Sequence, residues 1–110
     1  MRLPNAERAV VDDRKLKEYI LSRSHPIGRF KAAVFEAAGF NLSAWRELAE
    51  QLRAIATSGE AEPGERTQYG QKYLISGTVT GGEGSQLPVV TVWIISSLDD
   101  APRLVTVYPR

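Results

Sequence analysis

Three runs decide the fold: QKYLISGTVT (71–80), PVVTVWIISS (88–97) and RLVTVY (103–108), which concentrate Val, Ile, Thr and aromatic side chains. Between them stand Gly81-Gly82-Glu83-Gly84 and Asp99-Asp100-Ala101-Pro102, short turn-forming passages of the kind that join neighbouring strands. Two hairpin connections predict an antiparallel meander. Alternation sorts the strand residues by face. Tyr73, Ile75, Val79, Val90, Val92, Ile94, Val105 and Val107 form apolar sets at period two and are expected in the core. The opposite face then receives Lys72, Ser76, Thr78, Thr91, Trp93, Ile95, Leu104, Thr106 and Tyr108. Hydroxyls beside a Trp and a Tyr offer stacking surface and hydrogen bonds to a ligand; a half-wet sheet face shaped by strand propensity is the plainer alternative.

Working back from the strands, residues 60–68 hold Glu, Pro, Gly and Thr without periodicity and read as a loop. Before it the period changes to that of helices. Trp45, Leu48, Leu52 and Ile55 repeat at three and four, with Asn41 or Ser43 as cap, Phe40 and Trp45 as a hydrophobic staple, and Gly59 at the end. A second helix is expected from Pro26, with Phe30, Ala33, Val34, Ala37 and Ala38 as its apolar stripe and Gly39 as its stop. A first helix follows Asp12 or Asp13, with Leu16, Tyr19 and Ile20 on one face. Helices first and strands second, without alternation, predict an α+β fold: three N-terminal helices packed on one face of a three-to-four-stranded antiparallel meander.

The chain has 110 residues, 43% hydrophobic and 25% charged. Roughly 65% of the surface exposed by such an unfolded chain can be buried, enough for one core. Residues 1–110 are therefore expected to be a single domain, with a helical half (1–58) and a sheet half (69–110). There is no cysteine, which excludes disulfides, thiolate metal sites and a cysteine nucleophile, and a single histidine argues against a polyhistidine metal centre. No cofactor and no metal are expected. The most apolar stretch, Val89–Ile95, is far below the roughly 18 residues that span a bilayer. The start does not read as a secretion signal, so the expected place is the cytoplasm, without membrane contact.

The formal charge of +1 hides a division: ten basic and seven acidic residues in 1–58, net +3, against four basic and six acidic in 59–110, net −2. A nucleic-acid binder working by bulk charge needs a larger surplus, so any such role rests on a local patch. His25 is the one side chain that titrates near neutrality unperturbed, a natural general acid or base. Before Pro26 it is also the expected N-cap, beside amides that favour anions. Arg29 lies about 40° from His25 on the helical wheel, and Gly28 leaves the backbone open. Lys31 sits about 160° from Arg29, beside the apolar stripe, where it either covers the core edge or emerges between helix and sheet. An ordinary capping histidine is the alternative for His25. Walker, dinucleotide, serine-elbow and metal-ligand spacings are all missing. The Gly81–Gly84 passage lies between strands and reads as a flexible hairpin tip.

Leu3-Pro4-Asn5-Ala6-Glu7 leading into Val10-Val11-Asp12, then Lys15-Leu16 and Tyr19, His25-Pro26, Gly28, Lys31-Ala32 and Phe35, Tyr69-Gly70 and Tyr73, Trp93-Ile94, and Pro102-Arg103-Leu104-Val105-Thr106 with Tyr108 resemble a family of small uncharacterised bacterial proteins. The resemblance covers nearly the whole chain. It departs at Gly39–Ser43, where relatives tend to be longer. The family brings no activity with it. At the level of fold, the order of helices and strands, with His and Lys near the helices and Thr and Tyr on the strands, resembles the barnase, EndoU, colicin and RelE-like ribonuclease toxins. That second resemblance implies RNA bound at the open sheet face and its rim, and metal-independent cleavage by 2′-hydroxyl attack on the adjacent phosphate. It casts His25 as acid or base, Arg29 and Lys31 as phosphate stabilisers, and Thr106 and Tyr108 as hydrogen-bonding groups. Trp93, Thr91 and Tyr69 become substrate-binding residues.

The resulting expectation is a ribonuclease of bacterial toxin–antitoxin type, with RNA as substrate and a small cognate inhibitor protein as partner. The alternative is a non-catalytic interaction module, immunity- or antitoxin-like, that offers its sheet face to a protein. Modest net charge and a single histidine favour the second; the His, Arg and Lys grouping favours the first.

Overall fold

The computed structural model describes residues 1–22 and 29–110, with Arg29 and Phe30 described by backbone alone. After a 3-10 turn (Ala6–Arg8), α1 (Asp13–Lys15) runs directly into a π-helical segment (Leu16–Ile20). Then come α2 (Arg29–Ala37), a 3-10 turn (Leu42–Ala44) and α3 (Trp45–Ser58). Four strands complete the chain: β1 (Ala61–Thr67), β2 (Gly70–Thr80), β3 (Gln86–Ser96) and β4 (Asp99–Pro109). They pair antiparallel in the order β1-β2-β3-β4, so the α+β expectation holds with four strands.

The helices follow their sequence signals closely where bulky side chains mark one face. Leu16 and Ile20 of the π segment and Leu48, Leu52 and Ile55 of α3 are buried in one cluster with Ile75, Val79 and Val107 of the sheet. Asp12 caps α1 by accepting from the Arg14 amide at 2.9 Å, as its position before the first turn requires. The π segment is closed by the Leu21 amide on the Leu16 carbonyl, five residues back, at 2.8 Å. In α2 the expected stripe is displaced. Ala32, Phe35 and Ala38 are buried while Ala33, Val34 and Ala37 are exposed. Phe35 decides this rotation, because it is the largest apolar group among the described side chains of α2. The expected start at Pro26 lies outside the described residues.

Gly39 ends α2 with φ +99°, as foreseen, and docks against the β2–β3 hairpin. A Cβ at Gly81 would stand 1.7 Å from the Ala38 carbonyl oxygen. Gly81 is thus a buried point of close backbone approach rather than part of a free tip. Gly59, by contrast, ends α3 with extended backbone (φ −81°) and gives its amide to Ile55.

The sheet departs from expectation in four places, the last of them in β4. Residues 61–67 form β1 instead of a loop. As an edge strand with its ladder interrupted between Pro63 and Arg66, β1 tolerates Pro63 and Gly64, which erased the alternation. The β3–β4 connection is Ser97-Leu98, and Asp99–Pro102 belong to β4. Third, β3 lies one residue out of the expected phase. Tyr73 pairs with Trp93, Ile75 with Thr91 and Gly77 with Val89, so the odd residues of both strands share the helix-facing side. Val89, Thr91 and Trp93 are fully buried, whereas Val90, Val92 and Ile94 are half-buried on the other side.

The pairing of β4 contains a bulge. Val92 pairs with Thr106 but Trp93 pairs with Leu104, leaving Val105 without a partner across the ladder. Parity therefore changes at Val105, and Leu104 joins Val107 in the core instead of opposing it. The outer edge of β4 is partly covered by the N-terminal segment. Val10 bridges to it in parallel, donating to the Pro102 carbonyl at 2.8 Å and accepting from the Leu104 amide at 3.0 Å. Among the described residues, no helix is long and apolar enough to cross a membrane.

Candidate functional site

Just beyond the Val10 bridge, at the bulge, the helices and the edge of β4 border an open cleft of ≈ 690 Å³. Its walls come from α1 and the π segment (Arg14, Lys15, Tyr19), from α2 (Lys31) and from β4 (Val105, Thr106). Lys31 stands one residue before Ala32 on the buried side of α2, so its stem follows the core edge and its ammonium emerges beside the strand. There Nζ donates to Thr106 Oγ1 at 3.0 Å and lies 5.6 Å from the centroid of the Tyr19 ring. Burial holds the Lys31 ammonium below the usual lysine range, because removing water disfavours its charge. Lys15 Nζ donates to the Val105 carbonyl at 2.8 Å, so lysines from two helical elements grip consecutive residues of the strand.

The chemistry of this cluster follows from its donors. An ammonium only donates, so Thr106 Oγ1 accepts from Lys31 and its own proton is directed elsewhere. Among the described residues Thr106 has no acceptor for that proton. The Lys31 ammonium, with its remaining N–H bonds, and the Thr106 hydroxyl proton suit the oxygens of an anion, phosphate above all. Two carboxylates also stand on the cleft wall: Asp12, whose Oδ1 caps α1, and Glu18, which lies 3.6 Å from Arg14.

Of the residues singled out in the sequence, Lys31 and Thr106 are brought together. His25 lies outside the described residues, and of Arg29 only its backbone, at the first position of α2, is described. Tyr108 is exposed two residues along β4, opposite Val90 and off the cleft wall. Tyr69 is 69% exposed on the β1–β2 turn, at the far edge of the sheet from β4. Trp93 and Thr91 require correction. Both have 0% exposure. Trp93 Nε1 donates to Thr91 Oγ1 at 2.8 Å, and Thr91 in turn donates to the Ile75 carbonyl at 2.8 Å. This satisfied relay makes both residues core, with no face for a base to stack on.

Lys15 and Tyr19 were not assigned to a site from the sequence, although both stand in the segment that carries the family resemblance. Their i, i+4 spacing puts them on one helical face, a signal that needed the neighbouring strand to become meaningful. Among the described residues, no group of three His, Asp or Glu side chains is placed to hold a metal ion.

Comparison with known proteins places this geometry in context. One chain of a solved structure, a contact-dependent growth inhibition toxin–immunity protein complex from Klebsiella pneumoniae 342, superposes with a TM-score of 0.69 at 18% identity, covering 92% of this chain and 99% of that one. At that identity the likeness is one of fold. No curated protein matches the sequence. The sequence does match, from residue 2 to residue 110, the family described as a domain of unknown function, DUF6883, and the chain belongs to that family.

Proposed function

We propose that the protein is a metal-independent RNA endonuclease of the bacterial toxin type. The observation that carries this reading is the Lys31–Thr106 pair, which presents an ammonium and a hydroxyl donor in an open cleft. The fold shared with a chain of a toxin–immunity complex supports it. In the reaction a ribose O2′ attacks the adjacent phosphorus while the P–O5′ bond breaks, leaving a 2′,3′-cyclic phosphate and a free 5′-hydroxyl. The O2′ proton passes to a base and the departing O5′ gains one from an acid. His25 serves one of these two roles. Lys31, the Thr106 hydroxyl and Arg29 stabilise the extra charge of the phosphorane, and Tyr108 binds the strand leaving the cleft. A small inhibitor protein that covers the cleft would be the natural partner of such an enzyme.

The test is cleavage of tRNA and total RNA by the purified chain in EDTA. Wild type is expected to cut and to leave cyclic phosphate ends, while His25→Ala and Lys31→Ala lose the activity. If wild type and His25→Ala are both folded and equally inactive, the reading is wrong.

A second reading has its own observation. The similar solved chain belongs to a complex of two proteins, and likeness of fold alone suits either partner. An immunity-like protein would use the half-buried apolar residues Leu74, Val90, Val92 and Ile94 on the sheet face away from the helices. It would be harmless when expressed and would form a stoichiometric complex with a toxin. Growth arrest by wild type, relieved by Lys31→Ala, would exclude it.

A further inference from the structure

The strand position that carries Thr106 is irregular, and the structure shows what steadies it. At the β3–β4 bulge Val105 has no partner across the ladder. Such an extra residue lacks the register that holds its neighbours, and it re-aims the side chain beside it. The Val105 carbonyl is instead held by Lys15 Nζ at 2.8 Å. Lys15 is well placed to act as a strut. Its own amide donates to the Asp12 carbonyl at 3.1 Å, and the next residue, Leu16, is fully buried in the core. The Lys31–Thr106 bond cannot replace this strut, because it fixes one side-chain oxygen and not the backbone from which that oxygen projects.

We infer that Lys15 is a positioning residue, which sets the direction of the Thr106 hydroxyl by pinning the bulge carbonyl before it. The inference rests on the ribonuclease reading and adds to it a residue that touches the strand rather than the substrate. The length of the Lys15 side chain and its donor are what matter, so arginine should serve and methionine should not.

The experiment is a double-mutant cycle on RNA cleavage, run on the full chain with thermal unfolding measured for every variant. Thr106→Ala alone is expected to slow cleavage. Lys15→Met is expected to lower kcat about 10- to 100-fold with KM unchanged, the usual scale for a small misplacement of a reacting group. Lys15→Arg should recover most of that loss. In the Thr106→Ala background, Lys15→Met should cost nothing further, because the hydroxyl it positions is gone. An equal loss in both backgrounds would mean a general structural role and would overturn the inference, as would full activity of Lys15→Met. A folded wild type that cleaves no RNA overturns the ribonuclease reading itself, and this role of Lys15 falls with it. The first two failures leave that reading standing, so the cases are distinguishable.

Discussion

Two threonines in this molecule make the same kind of bond and meet opposite fates. Thr91 accepts from Trp93 Nε1 at 2.8 Å and Thr106 accepts from Lys31 Nζ at 3.0 Å. Thr91 then passes its own proton to the Ile75 carbonyl, and the chain of donors closes inside the core. Thr106 stands half-buried at the rim of a cleft, and among the described residues its chain of donors stays open. Closed relays make stability, because an unmet polar group in the core is costly. An open relay contributes little to stability and leaves a donor pointing at whatever enters the cleft. The difference lies in the strands: β3 is central and flanked on both sides, whereas β4 is an edge with a bulge.

This contrast can be broken by substitution. Trp93→Ala should have the largest effect on stability, about 3–5 kcal/mol, since it empties a large core site; chemical denaturation measures it, and a loss below about 1 kcal/mol would mean Trp93 is not core. Thr91→Val should cost about 1–3 kcal/mol, because it preserves shape but leaves Trp93 Nε1 unpaired in the interior. Thr106→Val should cost less than about 1 kcal/mol on the same measurement, its bond being half-exposed, while severely reducing RNA cleavage. If Thr106→Val proved as destabilising as Thr91→Val, the two relays would be of one kind and the cleft would be only a fold in the surface.

The same two regions show how far a sequence can be read. Leu48, Leu52 and Ile55 announced the buried face of α3 because polar residues separate them at helical spacing. Run β3 offers no such contrast. Val89, Val90, Val92, Ile94 and Ile95 put apolar groups on both parities, so period two cannot choose a face. The choice was made by Trp93, whose volume belongs inside and whose N–H finds an acceptor there in Thr91. In β4 the bulge at Val105 reversed parity midway, an event without a local signature. The placement of Lys31 was legible from its position beside the apolar stripe, even though that stripe proved to be Ala32, Phe35 and Ala38. Its partner Thr106 was named from resemblance, and Lys15 became visible only when the strand placed the Val105 carbonyl against it.

The central claim is that Lys31 and Thr106 await an anion, and the titration of Lys31 tests it most directly. Burial lowers its pKa in the free protein, so the ammonium loses its proton at a lower pH than an ordinary lysine. A bound phosphate favours the charged form and must push that pKa back up. The measurement is the NMR pH titration of the Lys31 Cε, alone and with an RNA oligonucleotide whose 2′-hydroxyls are replaced by hydrogen, which binds but cannot be cut. The account predicts a depressed midpoint that rises when the oligonucleotide is added. A midpoint that is unchanged by saturating oligonucleotide would contradict it.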